Sequence, residues 1–260
     1  MNPKNIITST LLLTAIPAIA GTTVPSLTET QPVATTESGW HVRAALYGWG
    51  TALDGDVTLR GNKVPVDVGF DDIFDNIDFA FMGVVEVGRG KWSVLTDLFY
   101  ADLSADNTKG NLEFDVELKQ FIGNFIVAYN VVDDPCRRFD VYAGARVTSL
   151  ETDINITQTG LVRATTFSGS AEETWVDPII GARFQQQLPN QFFLRTVGDI
   201  GGFGVSSDLT WQALLALGYH ISDSSSVTLG YRAIGTDYED GQFGYDVISH
   251  GLLLGFEYRF

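Results

Sequence analysis

The stretch His250-Gly251-Leu252-Leu253-Leu254-Gly255-Phe256-Glu257-Tyr258-Arg259-Phe260 decides how the rest of the chain is read. Successive side chains of a strand point to opposite faces. His250, Leu252, Leu254, Phe256, Tyr258 and Phe260 therefore share one face, and Gly251, Leu253, Gly255, Glu257 and Arg259 share the other. One face is apolar and ends in aromatics, while the other is small or charged. A half-buried strand of a soluble sandwich would alternate in the same way, so the decision rests on the remaining strands.

Residues 1–20 read as a signal peptide. Lys4 supplies a positive start, Ile6 to Ile19 an apolar stretch, and Ala18-Ile19-Ala20 a small-residue cleavage site. Thr22 to Ser38 is rich in Thr, Pro, Ser and Glu without periodicity, so 21–39 is expected to be a disordered periplasmic leader. Beyond the signal no apolar run reaches the roughly 18 residues of a spanning helix. Yet mean hydropathy is +0.09 with 18% charged residues, unusually apolar for a secreted acidic chain. A membrane barrel reconciles these values, because only alternate strand residues face lipid. The 27 Gly, 5 Trp, 9 Tyr and 17 Phe suit tight turns and aromatic girdles.

From Trp40 onward, alternation and turn chemistry predict ten strands, near 40–50, 77–88, 91–103, 111–131, 138–151, 174–187, 191–200, 208–221, 226–236 and 247–260. Eight would remain if two of the weaker ones were loop hairpins. Short turns at 88–91, 132–137, 188–191 and 222–225 alternate with longer links, notably 51–76 and 152–173. That rhythm is the pattern of an antiparallel up-and-down transmembrane barrel, here over 40–260. In the fourth strand the apolar phase flips near Lys119 and Gln120, which predicts either a bulge or an upper strand standing above the bilayer. Tyr219, Tyr231 and Tyr258 are expected near a membrane interface.

The opposite parity of each strand carries Arg43, Asp78, Glu86, Asp97, Asp140, Arg146, Asp177, Arg183, Arg195, Asp199, Arg232, Glu257 and Arg259. A lipid-facing Arg or Lys costs about 2–4 kcal/mol at the bilayer midplane, so these residues are expected to line the lumen. The signs are nearly balanced, six Arg to seven acids. Two readings follow: paired charges that plug a small barrel, or a narrow pore whose charged rings select solutes. Most of the excess negative charge is expected in the outer loops, on Asp54, Asp56, Asp67, Asp71, Asp72, Asp75, Glu172, Glu173, Asp237, Glu239, Asp240 and Asp246.

No catalytic centre, cofactor or metal site emerges from the sequence. His41, His220 and His250 are scattered, and no Asp-His or Ser-His spacing assembles a triad or dyad. One Cys, Cys136, and three His do not make a zinc site, and the acidic loops lack calcium-loop spacing. Gly201-Gly202-Phe203-Gly204 precedes no helix pattern and reads as a tight loop. A net charge of −16 argues against nucleic acid as a partner.

A chain closing on an aromatic strand resembles Gram-negative outer-membrane barrels. The blocks Tyr47-Gly48-Trp49, Val66-Asp67-Val68-Gly69-Phe70-Asp71-Asp72-Ile73, Trp175-Val176-Asp177-Pro178-Ile179-Ile180-Gly181-Ala182-Arg183, Gly201-Gly202-Phe203-Gly204 and Leu229-Gly230-Tyr231-Arg232 extend that resemblance. They are similar to a widespread uncharacterised outer-membrane β-barrel family, loosely OmpA- and OmpW-like in architecture. The resemblance implies a fold and an outer-membrane location, but no catalytic residue or substrate. The expected function is a structural barrel or a narrow passive channel for small solutes, with an adhesive surface protein using acidic loops as the alternative. Its expected partners are outer-membrane lipid and lipopolysaccharide, with a small solute if the lumen is open, and the chain is expected to be a monomer.

Overall fold

Alternating apolar residues can satisfy every backbone group in lipid only if the sheet has no edge. The computed structural model describes the backbone of residues 39–109, 112–159 and 164–260, and the side chains within them except 105–116, 154 and 156–167. The predicted signal peptide and the leader up to residue 38 lie outside the described residues. The elements are β1 Trp40–Leu59, β2 Asn62–Val68, α1 Phe70–Asp75, β3 Ile77–Arg89, β4 Trp92–Lys109, β5 Leu112–Asp134, β6 Arg137–Thr159, β7 Ala164–Gln187, β8 Phe192–Gly202, β9 Leu209–His220, β10 Ser225–Asp240 and β11 Phe243–Arg259.

Neighbouring strands pair antiparallel, and β11 pairs with β1, from Arg43↔Arg259 to Thr58↔Gly244. Ten strands thus close a barrel, with β2 as a spur on the upper half of β1. The eight-strand alternative is excluded. The β1–β3 ladder runs from Trp40↔Arg89 to Leu46↔Gly83, and β1 next pairs on that side with β2, beginning at Leu53↔Val68. Between the two ladders the Trp49 amide donates to Met82 Sδ at 3.1 Å. The Phe70 ring of α1 lies over Gly50, 2.5 Å from where a Cβ would stand.

Short turns gather at the end where the chain enters and leaves the barrel. At the other end the predicted links are largely strand: 51–76 contains the rest of β1, β2 and α1, while 152–173 extends β6 and β7. A spanning strand needs about 9–11 residues. Strands β5, β6 and β7 have 23, 23 and 24, so their upper parts project as a raised wall. No bulge occurs near Lys119. The β5 ladder is unbroken there, and its irregularity falls between Asn130 and Val132. The flip instead marks the exit from lipid, since the same outward parity carries apolar Phe125 and Val127 below and charged Glu117 and Lys119 above.

Below that level the outer surface is apolar, with Leu46, Val85, Val94, Ile180, Leu215, Leu229, Leu252 and Leu254 exposed. Aromatic pairs ring the short-turn end: Trp92 with Tyr129 at 4.8 Å, Phe192 with Tyr219 at 5.1 Å, and Tyr258 with Phe260 at 4.9 Å. Arg89 lies over Trp40 and Lys91 over Tyr129, cations over ring faces in the girdle. Tyr231 is not in this ring. It sits farther along the wall, opposite Leu252 and Leu215.

Candidate functional site in the barrel interior

Inward parity places charged side chains where no lipid can reach them and little water can. Burying a charge is tolerable only when it is paired and hydrogen-bonded. The interior meets that requirement with two polar discs separated by an apolar ring.

The lower disc, near the short-turn end, is built on Glu86, Asp140 and Glu257. Glu86 accepts from Arg43 at 2.6 Å and, through both oxygens, from Arg183 at 2.9 and 2.8 Å. Arg183 comes from β7, far around the barrel from β3, so this fork crosses the lumen. Glu257 joins Arg43 at 2.6 Å and Arg195 at 2.9 Å, with Arg259 at 3.4 Å from its other oxygen. Asp140 accepts from Arg138, Arg183 and the Asn130 amide. A planar guanidinium suits such forked pairing better than an ammonium does.

The upper disc is one continuous network. Gln212 Oε1 accepts from Arg232, whose Nη2 donates to Asp97 at 2.7 Å and whose Nη1 donates to the Tyr47 hydroxyl at 2.8 Å. Tyr47 in turn donates to Asp97 at 2.7 Å. Asn124 donates to Asp97 and accepts from Arg146 Nε at 2.8 Å. Arg146 then reaches Thr210 at 2.9 Å and Asp199 at 2.8 Å, and Asp199 also accepts from Tyr142. Seven of the ten barrel strands, all but β3, β7 and β11, supply a side chain to this disc or to the contact of Arg232 with the Trp49 ring.

Between the discs lies a cavity of about 140 Å³ with walls that include Val84, Leu95, Ile126 and Leu214. Beyond the upper disc the interior turns apolar again. Trp49, Phe99, Ile122, Ile234 and Leu253 pack together, and Trp175 stacks on Tyr238 with ring centroids 4.1 Å apart nearer the mouth.

Of the residues predicted for the lumen, Arg43, Glu86, Asp140, Arg183, Arg195, Glu257 and Arg259 meet in the lower disc, and Asp97, Arg146, Asp199 and Arg232 in the upper. Among the described residues Asp177 forms no ion pair with an Arg, although Arg146 stands opposite it in the ladder. It is fully buried but accepts from the amide and hydroxyl of Ser207 at 2.8 and 2.6 Å, anchoring the tight loop after β8. In that loop Gly202, Phe203 and Gly204 have φ values of 86°, 53° and 70°. Asp78 is corrected: it is exposed and accepts from Ser104, because the register shifts between Ile77 and Phe79 and rotates it out of the lumen. The sequence reading missed Arg138 and the neutral partners Tyr47, Asn124, Tyr142, Thr210 and Gln212. Parity carried their signal, but a search confined to charges passed over the neutral ones.

The histidines also need correction. Strand pairing brings Asp54 to His250, Oδ2 to Nε2 at 2.5 Å, and His250 Nδ1 to the Tyr231 hydroxyl at 2.5 Å. An Asp–His contact thus exists, assembled from β1, β10 and β11 on the outer wall, where spacing along one strand could not reveal it. Among the described residues no group of His, Cys, Asp and Glu has the geometry to hold a metal ion.

No protein-family model matches the sequence, and neither does any curated protein. Among solved structures, the outer membrane protease OmpT from Escherichia coli superposes with a TM-score of 0.57 at 10% identity, over 88% of this chain and 99% of that one. The translocator domain of the autotransporter NalP from Neisseria meningitidis matches at 0.41 and 16% identity, over 84% and 88%. Ail, the attachment invasion locus protein of Yersinia pestis, matches at 0.34 and 11% identity, over 86% and 100%. The feature shared with OmpT is the barrel. A closed wall with an apolar belt and an aromatic girdle, on a fold common to an outer-membrane protein, makes the chain an integral outer-membrane β-barrel. Fold at this identity carries no activity with it.

Proposed function

We propose that this protein is a structural outer-membrane barrel whose lumen is held shut by its own ion pairs. The observation that carries this reading is the upper disc, in which side chains of facing strands bond to one another from Gln212 to Tyr142. A conducting pore of this size needs its rings of charge apart, with water between them. Here Arg232 and Asp97 close to 2.7 Å, and Arg146 and Asp199 to 2.8 Å. The reading assigns no catalytic step to the Asp54–His250–Tyr231 chain on the outer wall. Proteoliposomes carrying the protein should not swell in isosmotic sugar or amino-acid solutions. Swelling at rates above protein-free vesicles would replace this function with the passive channel.

The raised wall of β5, β6 and β7 favours a second reading, surface attachment. Above the apolar belt its outward residues are Glu117, Lys119, Glu151 and Glu172, of which Glu151 and Glu172 stand directly opposite each other. Like charges in that position cost stability, and Lys119, 3.5 Å from Glu151, compensates one of the two and leaves Glu172 for a cation from outside. Binding of protein-bearing vesicles to lipopolysaccharide that requires magnesium, and is lost in Glu151→Gln/Glu172→Gln, would support attachment. Binding indifferent to both would remove it.

A further inference from the structure

We propose that the cavity between the two discs binds a small organic anion with an apolar body, of the class of aromatic or branched monocarboxylates. The inference goes beyond the closed-lumen reading, because a site can fill whether or not ions cross the barrel. Its first support is charge. Arg43, Arg183 and Arg195 line the floor and Arg232 the roof, against the carboxylates of Glu257 and Asp97. Glu86 and Asp140 behind the wall pair with Arg43 and Arg183, so the surplus of guanidinium over carboxylate is smaller than the lining alone gives, and low dielectric strengthens what remains. The lower disc as a whole has the same bias, with five arginines ion-paired to three carboxylates. Two of the five, Arg138 and Arg259, are about one third exposed at the short-turn mouth, where a surplus of cations draws anions inward.

The second support is shape and lining. Val84, Leu95, Ile126 and Leu214 form walls that offer nothing to a hydrated inorganic anion, while a neutral hydrocarbon would gain nothing from the surplus of guanidinium over carboxylate. A carboxylate on an apolar body satisfies both surfaces, with the carboxylate on the floor arginines and the body against the walls. The volume sets the size. An apolar cavity of about 150 Å³ takes up one benzene ring, and this one measures about 140 Å³. One ring or its aliphatic equivalent is the upper limit, which excludes long acyl chains and sugars.

The test is equilibrium dialysis of the purified full-length barrel in detergent against benzoate, benzamide and benzamidine at neutral pH. Benzoate should be retained about tenfold or more tightly than benzamide, its neutral isostere, and benzamidine should not be retained. Leu214→Trp fills the cavity and leaves every charge in place, so it should lose benzoate; if it fails to fold, Val197→Phe serves the same purpose from the neighbouring strand. Equal retention of benzoate and benzamide would overturn the proposal. So would no retention of benzoate at millimolar concentration, or retention undiminished in a folded cavity-filling variant. None of these outcomes bears on vesicle swelling, so failure here is distinguishable from failure of the closed-lumen reading.

Discussion

At the residue scale the account rests on guanidinium–carboxylate pairs that have no water to fall back on. Arg232 is nearly fully buried, and so is the carboxylate it meets. Removing one member leaves the other charged and unpaired, which costs about 3–5 kcal/mol. Arg232→Met should therefore lower the stability measured by urea unfolding in lipid vesicles by that order, and Asp97→Asn should lower it as well. The double change should recover part of the loss, because no orphan charge remains. Outside the membrane the sign reverses for Asp237, at the outer rim. Burial and the neighbouring carboxylates of Asp246, Asp208 and Glu239 push its carboxyl up from the ordinary value. A raised carboxyl favours the folded chain when protonated, so its contribution is present at low pH and is lost as pH rises through the raised value. Asp237→Asn should raise the unfolding midpoint at pH 7 and above, and the gain should vanish below the ordinary carboxylate range, roughly pH 4.

At the scale of the strand, closure depends on glycines where β1 and β11 meet. A Cβ on Gly251 would stand 1.7 Å from the Gly50 carbonyl oxygen, whereas a Cβ on Gly48 in the same ladder meets nothing within 4 Å. Gly251→Val should abolish the compact, heat-modifiable band that folded barrels give on electrophoresis, and Gly48→Val should keep it. Much at this scale was legible from the sequence. The alternation in Ile77, Phe79, Phe81 and Val85, or in Leu252, Leu254 and Phe256, reports the lipid face directly, since each side chain meets lipid by its own parity. Strand ends were not legible. Above the bilayer the outward residues turn polar, so the signal used to recognise β6 and β7 fades while the hydrogen-bonded ladder continues.

At the scale of the whole molecule, the sequence placed the charges inside but could not say which would meet. Arg43 and Glu257 are 214 residues apart and Arg232 and Asp97 are 135 apart. Their meeting depends on the shear with which ten strands close, a property of the barrel and of no single strand. The repeated blocks Gly144-Ala145-Arg146 and Gly181-Ala182-Arg183 show the same point. Arg146 and Arg183 sit on paired antiparallel strands, and the register sets one opposite Asp177 and the other opposite Asp140, at different heights. Plug and pore were therefore both consistent with the list of inward residues, and the proposed plug rests on the distances across the lumen. The most direct test is single-channel recording of the purified protein in planar bilayers, beside Arg232→Ala/Asp97→Ala/Arg146→Ala, which removes the centre of the upper disc. The account predicts a silent membrane for the natural protein and more frequent openings for the triple variant. Regular discrete conductance steps from the natural protein would contradict it.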